Sequence, residues 1–378
     1  MNIKKRLDTT KKSDFVREFE KILSDSIIGQ DHATEKISNS LSKLYSGIRN
    51  DEKPILTLLF LGSTGVGKTE MVKVLSKYFF GKRDAFTRVN CQEYSQEHNV
   101  SRLIGSPPGY IGAEIEPLLS QKNIDKHWRE ARRRRRGLFR NKAHKVHQSF
   151  TNPEEFLNIV LFDEVEKAHP TFWTTLLGVL DDGNIVMADN KEVNLRNSII
   201  VMTSNVGSYD INVKLNKKTV GFEICTNEEN NIEKLALDSA KNEFPPEFIN
   251  RFDSIVVFNP LTNESIKNIF EVEYKKTIDL IKKTVRLNIK ITEDVKKLII
   301  EKGYSNTMGV RNLSRTINEL LTVPISNLIT NEELKRNDKL EISVENNVLV
   351  FDKIEKIIRK QPEKMNKPKR VRAKAAKS

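Results

Sequence analysis

An apolar run from Ile55 to Leu61, broken only by Thr57, leads without a spacer into Gly62-Ser-Thr-Gly-Val-Gly-Lys-Thr69. The run is too short for a buried helix of ordinary length and ends on glycine, so it reads as a strand buried on both faces. Glycines at 62, 65 and 67 let backbone N–H groups close around an anion at the start of a helix, whose dipole adds to the attraction. Strand, loop and helix in that order form the repeating unit of a parallel sheet covered by helices. Within such a loop Lys68 reaches the outer phosphates of a nucleotide, Thr69 ligates Mg2+, and Ser63, Thr64 and Val66 complete the cradle.

Further short apolar runs lie at Thr87–Asn90, Asn158–Phe162, Ser198–Thr203 and Ser254–Phe258, separated by helical segments. This alternation predicts a doubly wound α/β domain over about residues 25–258. Residues 1–24 form a charged lead-in, helical by the spacing of Phe15, Phe19, Ile22 and Leu23. After Pro260 the texture changes to amphipathic helices at Glu264–Ile281, Glu293–Lys302 and Met308–Leu321, with short strands at Leu287–Ile291, Lys339–Val344 and Val348–Phe351. A smaller, mostly helical α+β domain is expected over 259–353, followed by a basic tail, 354–378, whose Pro, Lys, Arg and Ala carry no apolar periodicity and predict disorder.

The 378 residues carry a net charge of +13, unevenly distributed. Residues 121–148 hold 11 Lys/Arg against Asp125 and Glu130, and residues 354–378 hold 10 against Glu355 and Glu363, which leaves the rest mildly acidic. Basicity belongs to two appendages, which argues against a nucleic-acid-binding body. No run of about 18 apolar residues is present, as a membrane helix needs. The basic start has no apolar core behind it, so no secretory signal is read. Cys91 and Cys225 are too few and too isolated for a disulfide framework or a metal site. A cytoplasmic, reducing location is the expectation.

Asn158-Ile-Val-Leu-Phe-Asp163-Glu164 is a strand ending in two carboxylates. At the carboxyl end of a parallel strand both point into the crevice where phosphates lie. Asp163 is placed to hold Mg2+ through water, and Glu164 to orient and deprotonate an attacking water. The strand Ile199-Ile-Val-Met-Thr-Ser-Asn205 ends in a neutral amide suited to fixing that water or the γ-phosphate.

Ile27-Ile28-Gly-Gln-Asp, the loop 62–69, Gly109-Tyr-Ile-Gly112, Leu161-Phe-Asp-Glu-Val-Glu-Lys-Ala-His-Pro170, Val179-Leu-Asp-Asp-Gly183, Met202-Thr-Ser-Asn205, Pro246-Glu-Phe-Ile-Asn-Arg-Phe-Asp253 and Gly309-Val-Arg311 follow one another along the chain. In that order they resemble the second ATPase module of Clp-type ring unfoldases of the AAA+ superfamily, over about residues 24–350. The resemblance implies the P-loop NTPase (AAA+) fold, ATP and Mg2+ as cofactors, and a nucleotide contact at Ile28. It implies that Asn205 senses the γ-phosphate, that Arg251 is an arginine finger completing a neighbour's site, and that Arg311 is a second sensor. Hydrolysis would then require a homo-oligomer, a hexameric ring acting on protein substrates. Tyr110 and Ile111 match the pore loop that grips an extended polypeptide, and Val220-Gly221-Phe222 match the position of a loop that docks on a ClpP-like peptidase.

The chain also departs from that pattern. Residues 113–157 are longer than the family's short helix and turn and contain Arg132–Arg136, with Trp128, Phe139 and His144 interleaved. An insertion there is either a solvated basic loop or a surface for phosphate backbone or an acidic protein, and nucleic acid is the alternative partner. Asn184–Val193 lacks the usual glycines of a second pore loop, and Asn312 replaces a proline. With no upstream module recognised, a single-ring machine without membrane attachment is the expectation.

Overall fold

The computed structural model describes residues 12–45, 50–106, 109, 114–138, 157–208, 228–305 and 308–354. They fall into two compact units, one running to Tyr274 and taking in Ile299–Asn318, the other formed by Lys275–Leu298 and the chain from Glu319. In chain order the elements are α1 (Asp14–Ser26), α2 (Asp31–Tyr45), β1 (Leu56–Leu61), α3 (Lys68–Phe80), β2 (Thr87–Asn90), α4 (Glu97–Ile104), α5 (Gln121–Leu138) and β3 (Asn158–Asp163). There follow α6 (Pro170–Asp182), a hairpin of β4 (Asn184–Val186) and β5 (Glu192–Asn194), β6 (Ser198–Ser204), α7 (Glu228–Glu243), α8 (Pro246–Ile249) and β7 (Ser254–Val257). Last come α9 (Asn263–Val285), β8 (Asn288–Ile291), α10 (Glu293–Gly303), α11 (Leu313–Ile317), α12 (Val323–Thr330), β9 (Lys339–Glu345) and β10 (Val348–Ile354).

Five strands form one parallel sheet in the order β2-β3-β6-β1-β7. Every residue of β1, β3 and β6 is buried, because alternate side chains enter cores on opposite faces. Leu56, Leu58 and Phe60 join Phe19 and Leu23 of α1, Ile37 of α2 and Leu75 of α3. Leu59 and Leu61 join Phe172 of α6, Ala236 of α7 and Phe248 of α8. Helices thus cover both faces, as the alternation of apolar runs predicts. The charged lead-in contributes directly: Phe19 and Leu23 are buried while the polar face of α1 points outward, with Ser13 capping its start.

Part of the stretch read as an insertion belongs to this core. In α5, Ile124 and Ala131 are buried, and the helix packs on α3 and β3. Buried Asp125 accepts from Gln121 Nε2 at 3.0 Å and Asn158 Nδ2 at 3.1 Å and pairs with Arg129 at 3.2 Å. Lys122, Lys126, Arg129 and Arg133 share the exposed face. The remainder of that stretch, with Phe139 and His144, lies outside the described residues, as does the basic tail.

In the second unit β9 pairs parallel to β8 and antiparallel to β10, turning through Asn346 and Asn347, both at positive φ, a conformation asparagine tolerates better than most residues. Leu340 and Ile342 are its buried face. The helix expected over Met308–Leu321 starts later, after a turn: α11 begins at Leu313 and runs through a wider π-helical turn at Asn318–Thr322 into α12. Among the described residues no helix is long and apolar enough to cross a membrane.

Candidate functional site

Because β1, β3 and β6 run parallel and adjacent, their carboxyl ends reach the same edge of the sheet. Residues 62–69, 163–166 and 205 converge there, where doubly wound sheets bind ligands. Lys68 opens α3 and is 8% exposed. Its ammonium donates to Gly62 O at 2.6 Å, Ser63 O at 2.9 Å and Asn205 Oδ1 at 2.8 Å. Burial pushes its pKa down to about 8, against the opposing pull of Glu166, Asp163 and Glu164.

Both oxygens of buried Asp163 are held. Oδ1 accepts from the Thr203 hydroxyl at 2.5 Å, and Oδ2 pairs with Arg88 Nη2 at 2.5 Å. Thr203 Oγ1 also accepts from Glu164 N at 3.1 Å. Glu164 itself has left-handed backbone, φ 59 and ψ 54, which is uncommon outside glycine and typical of residues constrained by function. Its Oε1 accepts from Asn205 Nδ2 at 3.4 Å. Glu166 completes the group: Oε1 accepts from Asn205 N at 3.2 Å, while Oε2 is buried with no partner among the described residues.

The loop is braced from outside. Gln30 Nε2 donates to Val66 O at 3.2 Å and Asn259 O at 2.8 Å, and Asn259 N donates back to Gln30 Oε1 at 3.0 Å. Ile27 packs beside Gly67, and Ile28 is half-buried. Gly65 and Gly309 nest against each other: a Cβ on Gly309 would stand 2.6 Å from Thr64 O, and one on Gly65 would strike Met308 O. That nesting, with both at positive φ, requires a turn rather than helix at Met308.

These residues fit a nucleoside triphosphate with Mg2+. The glycine loop and the start of α3 suit phosphates, Lys68 their charge, and the Thr69 hydroxyl and Asp163 carboxylate are hard oxygen donors. The orphaned Oε2 of Glu166 supplies an acceptor still lacking a donor.

The structure thus brings together Gly62, Ser63, Thr64, Gly65, Val66, Gly67, Lys68, Thr69, Asp163, Glu164 and Asn205. Thr64 Oγ1 lies 3.4 Å from Asn205 Oδ1. Arg251 stands apart: it is exposed, and its guanidinium pairs with Asp181 at 2.7 Å. Arg311 is also exposed and donates its backbone N–H to Met308 O at 3.3 Å, within the segment that belongs to the first unit. Tyr110, Ile111, Val220, Gly221 and Phe222 lie outside the described residues. Gln30, Arg88, Thr203 and Glu166 were not singled out from the sequence. Three of them sit inside or beside the matched blocks, while Arg88 carries no local signal beyond a charge in a short strand.

A model of the AAA domain (Cdc48 subfamily) matches residues 53–128 and 145–255, and the C-terminal D2-small domain of ClpB protein matches 261–342. The break, 129–144, begins midway along α5. The chain is 34% identical over 350 residues to chaperone protein ClpC1, chloroplastic, of Arabidopsis thaliana, covering 91% of this chain and 34% of that protein. It is 33% identical over 340 residues to the chloroplastic ClpA homolog of the Clp protease ATP-binding subunit of Brassica napus, covering 89% and 35%. A closed-state cryo-EM reconstruction of Hsp104 with ATPγS and FITC casein superposes with a TM-score of 0.68 at 28% identity, over 89% of this chain and 51% of that one. The chain spans about a third of the length of the curated relatives it matches.

Proposed function

Because the chain belongs to the Clp-type AAA+ ATPases, we propose that it hydrolyses ATP in a ring and uses the cycle to pull on polypeptide. The observation that supports this most is the convergence of Lys68, Asp163, Glu164 and Asn205 at one sheet edge. In this reading Lys68 exchanges its contacts with Gly62 O, Ser63 O and Asn205 for phosphate oxygens. Asn205, held by Glu166, orients the attacking water, and Glu164 takes its proton as the water oxygen bonds to the γ-phosphorus and the bond to the ADP oxygen breaks. Mg2+, held by Thr69 and through water by Asp163, would neutralise charge on the phosphates. Arg251, exposed at the surface, is suited to a neighbour's site rather than its own.

The ring is proposed to be a hexamer, with Tyr110 and Ile111 gripping substrate, Arg311 sensing nucleotide and Val220–Phe222 as a candidate peptidase contact. The relatives are named as chaperones and as a protease's ATP-binding subunit, which favours polypeptide over nucleic acid as the client. They are chloroplastic, so the setting proposed is a reducing aqueous compartment, cytoplasm or organelle.

The test uses Glu164→Gln, which keeps the phosphate loop and removes the base. With ATP it should retain fluorescent casein as a slowly released complex, whereas Tyr110→Ala in the same background should not. Equal, weak casein binding by both with and without ATP would sink the polypeptide reading.

A further inference from the structure

The block Val179-Leu-Asp181-Asp182-Gly183 has no task in the hydrolysis described above, yet Asp181 holds the proposed finger. Asp181 sits in the last turn of α6, whose end is fixed on all sides. Gly183 closes the helix at φ 65 and donates to Val179 O at 3.1 Å, and a Cβ there would lie 2.5 Å from Arg196 Cγ. Leu195 N donates to Gly183 O at 2.6 Å, and Arg196 Nε to Asp182 O at 3.0 Å.

The backbone that carries Arg251 is fixed as firmly. Arg251 O accepts from the Thr57 hydroxyl at 3.1 Å. Asp253 Oδ2 accepts from Thr57 N at 2.8 Å and from Thr57 Oγ1 at 2.9 Å, and Asp253 N donates to Thr57 O at 3.0 Å. Thr57 is 2% exposed in β1, the strand that ends in the phosphate loop. The Arg251 side chain extends from that mount, and among the described residues its guanidinium is met by Asp181 Oδ1, at Nη1 and 2.7 Å. A guanidinium has five N–H donors, so this single contact sets a direction and leaves most of the fork open.

We propose that Asp181 is the positioning residue of Arg251: it aims the guanidinium outward from a rigid mount, so that the finger reaches a neighbouring subunit's γ-phosphate already ordered. The inference rests on the trans-finger reading. A long side chain searching many rotamers would lose that advantage, and small misplacements at a reacting centre cost up to about a hundredfold in rate. A partly exposed pair of this kind, with Asp181 at 27% and Arg251 at 43% exposure, contributes little to folding, so its removal should leave the protein intact.

The experiment compares Asp181→Ala, Asp181→Glu and Arg251→Ala in steady-state ATP hydrolysis, with assembly followed by mass photometry. Asp181→Ala should lower kcat about tenfold to a hundredfold with KM for ATP nearly unchanged, and Asp181→Glu should recover part of the loss. Mixing Asp181→Ala with Glu164→Gln subunits should restore turnover, because the latter bring an intact Asp181–Arg251 pair to the former's base. Wild-type kcat in Asp181→Ala beside an inactive Arg251→Ala overturns the positioning role. So does a loss that mixing fails to restore, or a failure of both Asp181 variants to assemble. Wild-type kcat in Arg251→Ala overturns the trans-finger reading itself.

Discussion

The phosphate-loop edge and the Arg251 edge of the same domain are built on opposite plans. At the first, Lys68 and Asp163 are buried and each has partners on separate elements, Lys68 the phosphate loop and Asn205, Asp163 the Thr203 hydroxyl and Arg88. Arg251 has a fixed backbone, a half-exposed side chain and one ion pair. Groups that act within their own chain are locked by it. A group proposed to act on another chain, as Arg251 is, must instead be presented, which needs a rigid base and an uncovered tip.

The largest effect that tests this contrast is Arg251→Ala. It should leave nucleotide binding intact and lower kcat by about 10³- to 10⁵-fold, the range for arginine fingers. A weakened ATP affinity with unchanged kcat would break the contrast, since the residue would then be serving its own site. Glu164→Gln should also spare binding and lower kcat by about 10²- to 10⁴-fold, as removal of a general base does.

Arg88→Ala tests the buried side. It leaves Asp163 with only Thr203, and chemical denaturation should show a loss of about 1–3 kcal/mol, moderated because half of Arg88 is solvent-exposed. No loss would mean that Asp163 is held by the sheet alone.

The smallest effect is a proton. Lys68 titrates near pH 8 because burial disfavours its charge, and phosphates favour it. ATP binding above pH 8 should therefore take up a proton, and affinity should fall by up to about tenfold per pH unit, whereas at pH 7 uptake should be slight. Calorimetry in buffers of different ionisation enthalpy reads this directly. Absence of proton uptake at pH 9 would mean that Lys68 stays charged without ligand.

What the sequence makes legible divides along similar lines. The strands β1, β3 and β6 announce themselves as short, mostly apolar runs, and the loop 62–69 by glycine spacing, because both signals are local. Arg88, Thr203 and Glu166 matter only once the strand order places β3 between β2 and β6, and order across a sheet is not written in order along a chain. The helix expected at Met308–Leu321 starts only at Leu313 for the same reason: Gly309 must turn to meet Gly65, more than two hundred residues earlier. The pairing of Asp181 with Arg251 likewise joins two blocks that each look self-contained in sequence.

The central claim is that each site is finished by a neighbour, and dilution tests it most directly. Specific ATPase activity, measured across a dilution series with assembly state monitored in parallel, should fall with the loss of rings while nucleotide binding to the dissociated chain persists. A rate per chain that stays constant down to the monomer would contradict the account.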